Sequence, residues 1–242
     1  MASAARNLYE RNQDALVVVT AQVTVNFETD GGTLPSQEQT TQTLGTIIDG
    51  KGLIMISNSA LDPSVGMKGQ RGRPVGEEEF ATVTKASAYY RAIQVNLADG
   101  SMYHAAMIDR VPDLDLAFLL ADQAEVQKRK GSLPRVNLGN AAAGVSIGED
   151  IIGMARSNSV YGYIPTVVPM NVSAISKREP TYYLTTVGAV QGMPIFSKGG
   201  SFVGLVVQRV VSDQRTGVLG VLEAKALNQR VKLTKAKHKA FR

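Results

Sequence analysis

The residues able to do polar chemistry in this 242-residue chain are few, which narrows the options early. There is no cysteine, so thiol nucleophiles, disulfides and thiolate metal sites are excluded. There are two histidines, His104 and His238, and this argues against a histidine-rich metal site. The stretch with the layout of a presented functional residue is 187–207. There a tight turn ending in Gly192-Met193-Pro194 holds up Gln191, an apolar strand follows, and Gly199-Gly200 turns the chain into a second strand through Val203-Gly204-Leu205-Val206. The presented side chain is an amide, which hydrogen-bonds well but is not a useful nucleophile toward a peptide carbonyl.

The elements that must position this turn are strands. A short helix is expected over 7–14, then a first strand through Leu16–Val19 and the alternation Val23, Val25, Phe27, and a loop or hairpin tip over 28–43. Two apolar strands within 44–61 are joined by Asp49-Gly50-Lys51-Gly52, a strong hairpin signal. Residues 62–88, with Pro63, Gly66, Gly69, Arg73, Pro74, Glu77 and Glu78, read as an irregular surface loop. Ile93, Val95 and Leu97 alternate into an Asp99-Gly100 turn, the chain returns through Tyr103, Ala105 and Met107, and an apolar strand follows Asp115. A polar segment over 121–134 bridges to a second set of strands, and Ala224, Leu227 and Val231 have the spacing of a terminal helix.

Three ordered segments resemble trypsin-like serine proteases, most closely the HtrA type. The 187–207 stretch is similar to Gly-Asn-Ser-Gly-Gly-Pro-Leu-Phe with its following strand, and Gln191 falls on the nucleophilic serine. Residues 45–61 resemble the segment ending in Thr-Asn-Asn-His-Val-Val, and the histidine falls on Ser59. Residues 109–119 resemble Asp-Pro-x-x-Asp-Leu-Ala-Val-Leu, and the orienting carboxylate falls on Asp115. The oxyanion turn falls on Ala189 and Gly192, with Met193 in place of the next glycine. The resemblance implies an all-β fold of two six-stranded antiparallel β-barrels with a short N-terminal and a C-terminal helix. The first barrel is expected over 1–125, the second over 126–233, and a basic tail over 234–242.

Amide hydrolysis on such a scaffold needs a hydroxyl, a histidine base, an orienting carboxylate and oxyanion donors. With Gln191, Ser59 and Asp115 in the three positions, the expectation is an inactive protease homologue that binds a protein or peptide by strand addition. Gln191 and the Val203, Gly204, Leu205 strand are the expected contacts, with no cofactor and no metal. Two alternatives stand beside it. One is an active hydrolase with a non-standard nucleophile. The other is a structural or assembly module acting through the 62–88 loop or the basic tail.

The tail matters because the net charge of +5 resides there: seven basic residues and no acidic one lie in 224–242, leaving 19 basic against 21 acidic elsewhere. Nucleic acid, a membrane surface or another anionic polymer would meet the chain at this tail. The sequence has no apolar run of about 18 residues, and its first residues lack the apolar core of a signal peptide. An extracytoplasmic setting and a homo-oligomer are what the resemblance implies.

Overall fold

The computed structural model describes residues 2–31, 34–72, 79–129, 131–157, 159–186, 188–211 and 214–241. Helix α1 (Ala2–Asn12) leads into β1 (Leu16–Thr29), β2 (Gln37–Ile47) and β3 (Leu53–Ser57). A four-residue helix α2 (Asn58–Leu61) precedes β4 (Arg71–Gly72), β5 (Ala81–Asn96), β6 (Met102–Val111) and β7 (Leu116–Ala121). After α3 (Gln123–Lys128) come β8 (Asp150–Arg156), β9 (Pro165–Ser176), β10 (Tyr182–Thr185), β11 (Pro194–Ser197), β12 (Phe202–Val211) and β13 (Gln214–Glu223). Helix α4 (Ala224–Lys237) closes the series.

These strands form two closed six-stranded antiparallel barrels. The first runs β1-β2-β3-β7-β6-β5 and closes through β1 on β5, with β4 added at the far end of β5. The second runs β10-β13-β12-β11-β8-β9 and closes through β9 on β10. Side-chain alternation explains how the barrels pack. In β7, Ala117 and Leu119 point into the first barrel with Val17, Val19, Ile54 and Ile56. Leu116 and Phe118 point out of it, into a cluster shared with Met193, Phe196, Phe202 and Leu205 of the second. Every residue of β3 and β7 is therefore buried, on both faces. The ends of these two strands lie at the seam, and the segments carrying Ser59 and Asp115 begin there.

The expected hairpin is present, with Ile47 opposite Ile54. Gly52 adopts φ +81, and a Cβ there would stand 2.9 Å from that of Ala121, so the turn needs glycine for both conformation and space. Much of the expected 28–43 loop is strand instead, since β1 continues to Thr29 and pairs with β2 as far as Val25 opposite Gln37. The 62–88 segment is likewise not wholly irregular: β4 and the first half of β5 lie within it. Arg73, Pro74, Glu77 and Glu78 fall outside the described residues, as do Val187 and Arg242. Helix α3 was not expected in the 121–134 connection. Its signal is Asp122, whose carboxylate accepts from the N–H groups of Ala124 and Glu125 at 2.8 and 3.0 Å.

The C-terminal residues are not a loose tail. Helix α4 runs past 233 to Lys237, and Thr234 donates to Asp109 at 2.7 Å. Lys235 pairs with Asp49, Lys51 donates to the Ala240 carbonyl at 2.7 Å, and both lysines lie over the Phe241 ring. Part of the basic surplus thus neutralises acids of the first barrel. Burial pushes the Asp49 carboxyl up, but hydrogen bonds from Lys235 and the Lys51 N–H outweigh it and hold the group below the ordinary carboxylate range of about 3.8. A depressed folded-state pKa gives stability that is complete above the unfolded value and is lost as pH falls through the folded one. Lys235→Gln should therefore cost about 0.5–1 kcal/mol at neutral pH. In urea unfolding the gap from wild type should close as the pH is taken below about 3.8.

Candidate functional site

The seam brings the three matched residues together. Asp115 sits between a 3-10 turn over Pro112–Leu114 and β7, is 1% exposed, and holds a left-handed backbone (φ 54, ψ 38). Aspartate tolerates that region better than most residues. Its carboxylate accepts three hydrogen bonds: from the Ser57 hydroxyl at 2.5 Å, the Ser59 N–H at 2.6 Å and the Gln208 N–H at 2.7 Å. Its carbonyl accepts from the Asn58 N–H at 2.9 Å. Ser57, Asn58 and Ser59 belong to the first barrel and Gln208 to β12 of the second, so one buried carboxylate ties both barrels.

Gln191 comes from the turn between β10 and β11. Its Nε2 lies 2.9 Å from Ser59 Oγ, 3.2 Å from Ser57 Oγ and 3.3 Å from Gln208 Oε1. Ser59 Oγ in turn donates to Gln208 Oε1 at 3.3 Å. The residue that the resemblance places at the nucleophile is thus an amide donor, and the one it places at the base is a hydroxyl bonded to the Gln191 and Gln208 amides. Asp115, the one carboxylate here, already receives three donors. Ser57, whose hydroxyl does touch a carboxylate, is fully buried. His104 pairs with Glu125 of α3 at 2.8 Å, and His238 stacks near Phe241.

The turn around Gln191 takes positive φ at Gly188 (+82) and Gly192 (+79), leaving Ala189 an ordinary conformation half-buried against the core. Gly192 is held by contact: a Cβ there would stand 2.3 Å from the Leu44 carbonyl oxygen of β2. Its N–H donates to Val206 at 2.8 Å. Met193 is buried where the resemblance offers glycine. Its sulfur would stand 2.7 Å from a Cβ on Gly153, so the space is made on β8. Among the described residues the N–H groups of Ala189 and Gln191 have no protein acceptor.

The structure corrects the expected peptide contacts at Val203, Gly204 and Leu205. All three are covered: Gly204 lies between Ile195 of β11 and Glu223 of β13, and a Cβ on it would meet the Leu222 carbonyl at 2.1 Å. Val203 and Leu205 are core residues. The one-sided part of β12 begins further on, at Gln208, past the end of β11 and still paired with β13.

A cleft of about 470 Å³ opens beside Gln191, lined by Thr41, Gln42, Thr43 and Leu44 of β2, with Ser59, Arg156, Tyr163 and Val190 among the other walls. Arg156 ends β8 and donates to three backbone carbonyls: Nε to Leu16 at 2.7 Å, Nη1 to Tyr163 at 2.9 Å and Nη2 to Gln13 at 3.1 Å. Burial pushes its pKa down, against the pull of Asp14 and Tyr9. Tyr163 holds φ 55, and its hydroxyl lies 3.2 Å from the Gln42 amide, across the cleft.

Sequence reasoning missed Gln208, Arg156 and Tyr163. Gln208 leaves a signal as the first polar residue of the apolar Val-Gly-Leu-Val-Val run, and Arg156 as a cation ending Ile-Ile-Gly-Met-Ala.

No family model matches the chain, and no curated protein does. Among solved structures it is similar to the HtrA-type protease AlgW with a tripeptide, at TM-score 0.61 and 16% identity over 97% of this chain and 64% of that one. The chain thus spans somewhat less than two thirds of that structure. At this identity the likeness shows a trypsin-like fold.

If Asp115 joins the barrels, Asp115→Asn should lower unfolding free energy by about 2–3 kcal/mol, because an amide nitrogen would face one of three donors. Asp113→Asn, on the exposed face of the same turn, should change it by less than about 0.5 kcal/mol in the same denaturant series.

Proposed function

We propose that this protein is a catalytically inactive trypsin-like protease homologue that uses its inter-barrel cleft to bind an extended protein or peptide segment, as a regulatory or scaffolding partner. The carrying observation is the Gln191 amide in the nucleophile position, hydrogen-bonded to Ser57, Ser59 and Gln208 with no general base beside it. Acyl transfer needs a hydroxyl or thiol and a group to take its proton; hydroxyls such as that of Ser59 line the cleft, but among the described residues neither a histidine nor a carboxylate does.

The binding half rests on separate features. Beyond Gln208, whose N–H is taken by Asp115, β12 has a strand partner on one side only among the described residues, so an extended segment can add as a strand there. The N–H groups of Ala189 and Gln191 offer donors to a carbonyl of that segment. The similar solved structure is described with a tripeptide, which is in keeping with a peptide-binding role for this chain. An envelope or secreted setting belongs to this reading.

The test is intact-mass analysis after treatment with a fluorophosphonate probe, beside digestion of unfolded casein. We expect no adduct and no cleavage above a boiled control. A stoichiometric adduct with casein turnover would overturn the inactive reading and turn attention to the modified hydroxyl.

A further inference from the structure

We propose that the Arg156 guanidinium is the anchor for a carboxylate of the bound segment, seated in the cleft between β2, Tyr163 and Gln191. This deepens the reading of the cleft as a peptide site and rests on it. A guanidinium carries five N–H donors. Those of Arg156 serve the carbonyls of Gln13, Leu16 and Tyr163, which leaves two, one on each terminal nitrogen. Carbonyl oxygens orient the group without neutralising it.

Among the described residues no carboxylate lies within ion-pair distance of Arg156. It is a half-buried cation whose nearest acid, Asp14, acts on it only at a distance, and a buried charge gains from a directly paired partner. Among the described residues it is the one charged side chain lining the cleft, so an incoming anion meets no acid and no lysine on the cleft walls.

Three features point to a peptide carboxylate. The guanidinium is already fixed by its three carbonyls, so little side-chain entropy remains to be lost on pairing. The other walls mix hydrogen-bonding side chains with apolar ones such as Val18, Leu44 and Val190, which suits a peptide backbone with small side chains. A single cation matches a single negative charge, whereas a phosphate at neutral pH carries more. The carboxylate can be a chain's C-terminus or the side chain of an Asp or Glu, and the experiment separates the two.

The full chain is titrated by calorimetry with three N-acetylated tetrapeptides: Ala-Val-Ala-Ala as the free acid, the same peptide as the C-terminal amide, and Ala-Val-Glu-Ala as the amide. The ¹⁵N-detected arginine Nε–H signals are followed in parallel. At least one carboxylate-bearing peptide should bind about tenfold or more tightly than the neutral amide, with one arginine signal shifting. A free-acid preference identifies a terminal carboxylate, and a glutamate preference a side chain. In Arg156→Gln the ratio of acid to amide affinity should fall to about one. That ratio is not moved by a merely structural role of Arg156. If Arg156→Gln does not fold, the wild-type ratio and its loss below about pH 4, where peptide carboxyls protonate, carry the test. Equal affinity for all three peptides, or a preference that survives in Arg156→Gln, overturns the anchor while leaving the peptide site standing. No binding of any of the three at millimolar concentration overturns both.

Discussion

The barrels meet on a single buried carboxylate. Asp115 accepts from a hydroxyl and an N–H of the first barrel and from an N–H of the second, and its carbonyl caps the start of α2. Each of these groups would otherwise be an unpaired polar atom in a seam packed with Leu116, Phe118, Met193 and Phe202. The arrangement is also why a non-glycine residue is held at positive φ: the left-handed turn aims the side chain back across β3, and three charge-assisted bonds outweigh a backbone cost of about 1–2 kcal/mol. A carboxylate in this role is structural whether or not a histidine stands beside it.

The same packing explains which parts of the site are constrained and which can vary. Gly192 cannot take a side chain because Leu44 of the first barrel closes over it. Gln191, one residue earlier, points into a half-open cleft where several polar side chains fit. Ser59 sits at the start of a helix of four residues, tied to Asp115 by its backbone N–H, while its hydroxyl bonds to the Gln191 and Gln208 amides. Backbone demands therefore fix Gly192, Ser59 N–H and Asp115, while the side chains at 59 and 191 are not under the same backbone constraint. The Met193 side chain, just before β11, fills the space that the missing Cβ of Gly153 leaves on β8.

How much of this was legible follows from which signals are local. The hairpin at 49–52 was readable because strand alternation and turn glycines mark it residue by residue, whereas the two barrels and the meeting of Ser59, Asp115 and Gln191 followed only from the resemblance of three ordered segments to trypsin-like proteases. The placement of Val203 to Leu205 was not readable, because an apolar strand reads alike at a sheet edge and in a sheet centre. Only the pairing of β12 with both β11 and β13 shows that it is central. The order of the last helical turn was hidden for a different reason: charge counting along the chain sees lysines without their partners, and Asp49 and Asp109 lie far away in sequence. Arg156 shares that blindness in reverse. It reads as an ordinary surface cation, and its lack of a carboxylate partner is visible only in three dimensions.

Catalysis and binding make different demands on such a cleft, and the residues divide along that line. Proton transfer requires a titratable group in contact with a nucleophile, and the centre of this site holds two glutamines and two serines whose hydrogen bonds run among themselves and into Asp115. Binding requires fixed donors, a strand edge and uncompensated charge, none of which needs to titrate. Those features lie just outside the centre: the N–H groups of Ala189 and Gln191, β12 beyond Gln208, and a guanidinium clamped by three carbonyls. On the proposed reading, the amide network at the centre is a polar floor between the barrels and the rim is the part that engages a partner.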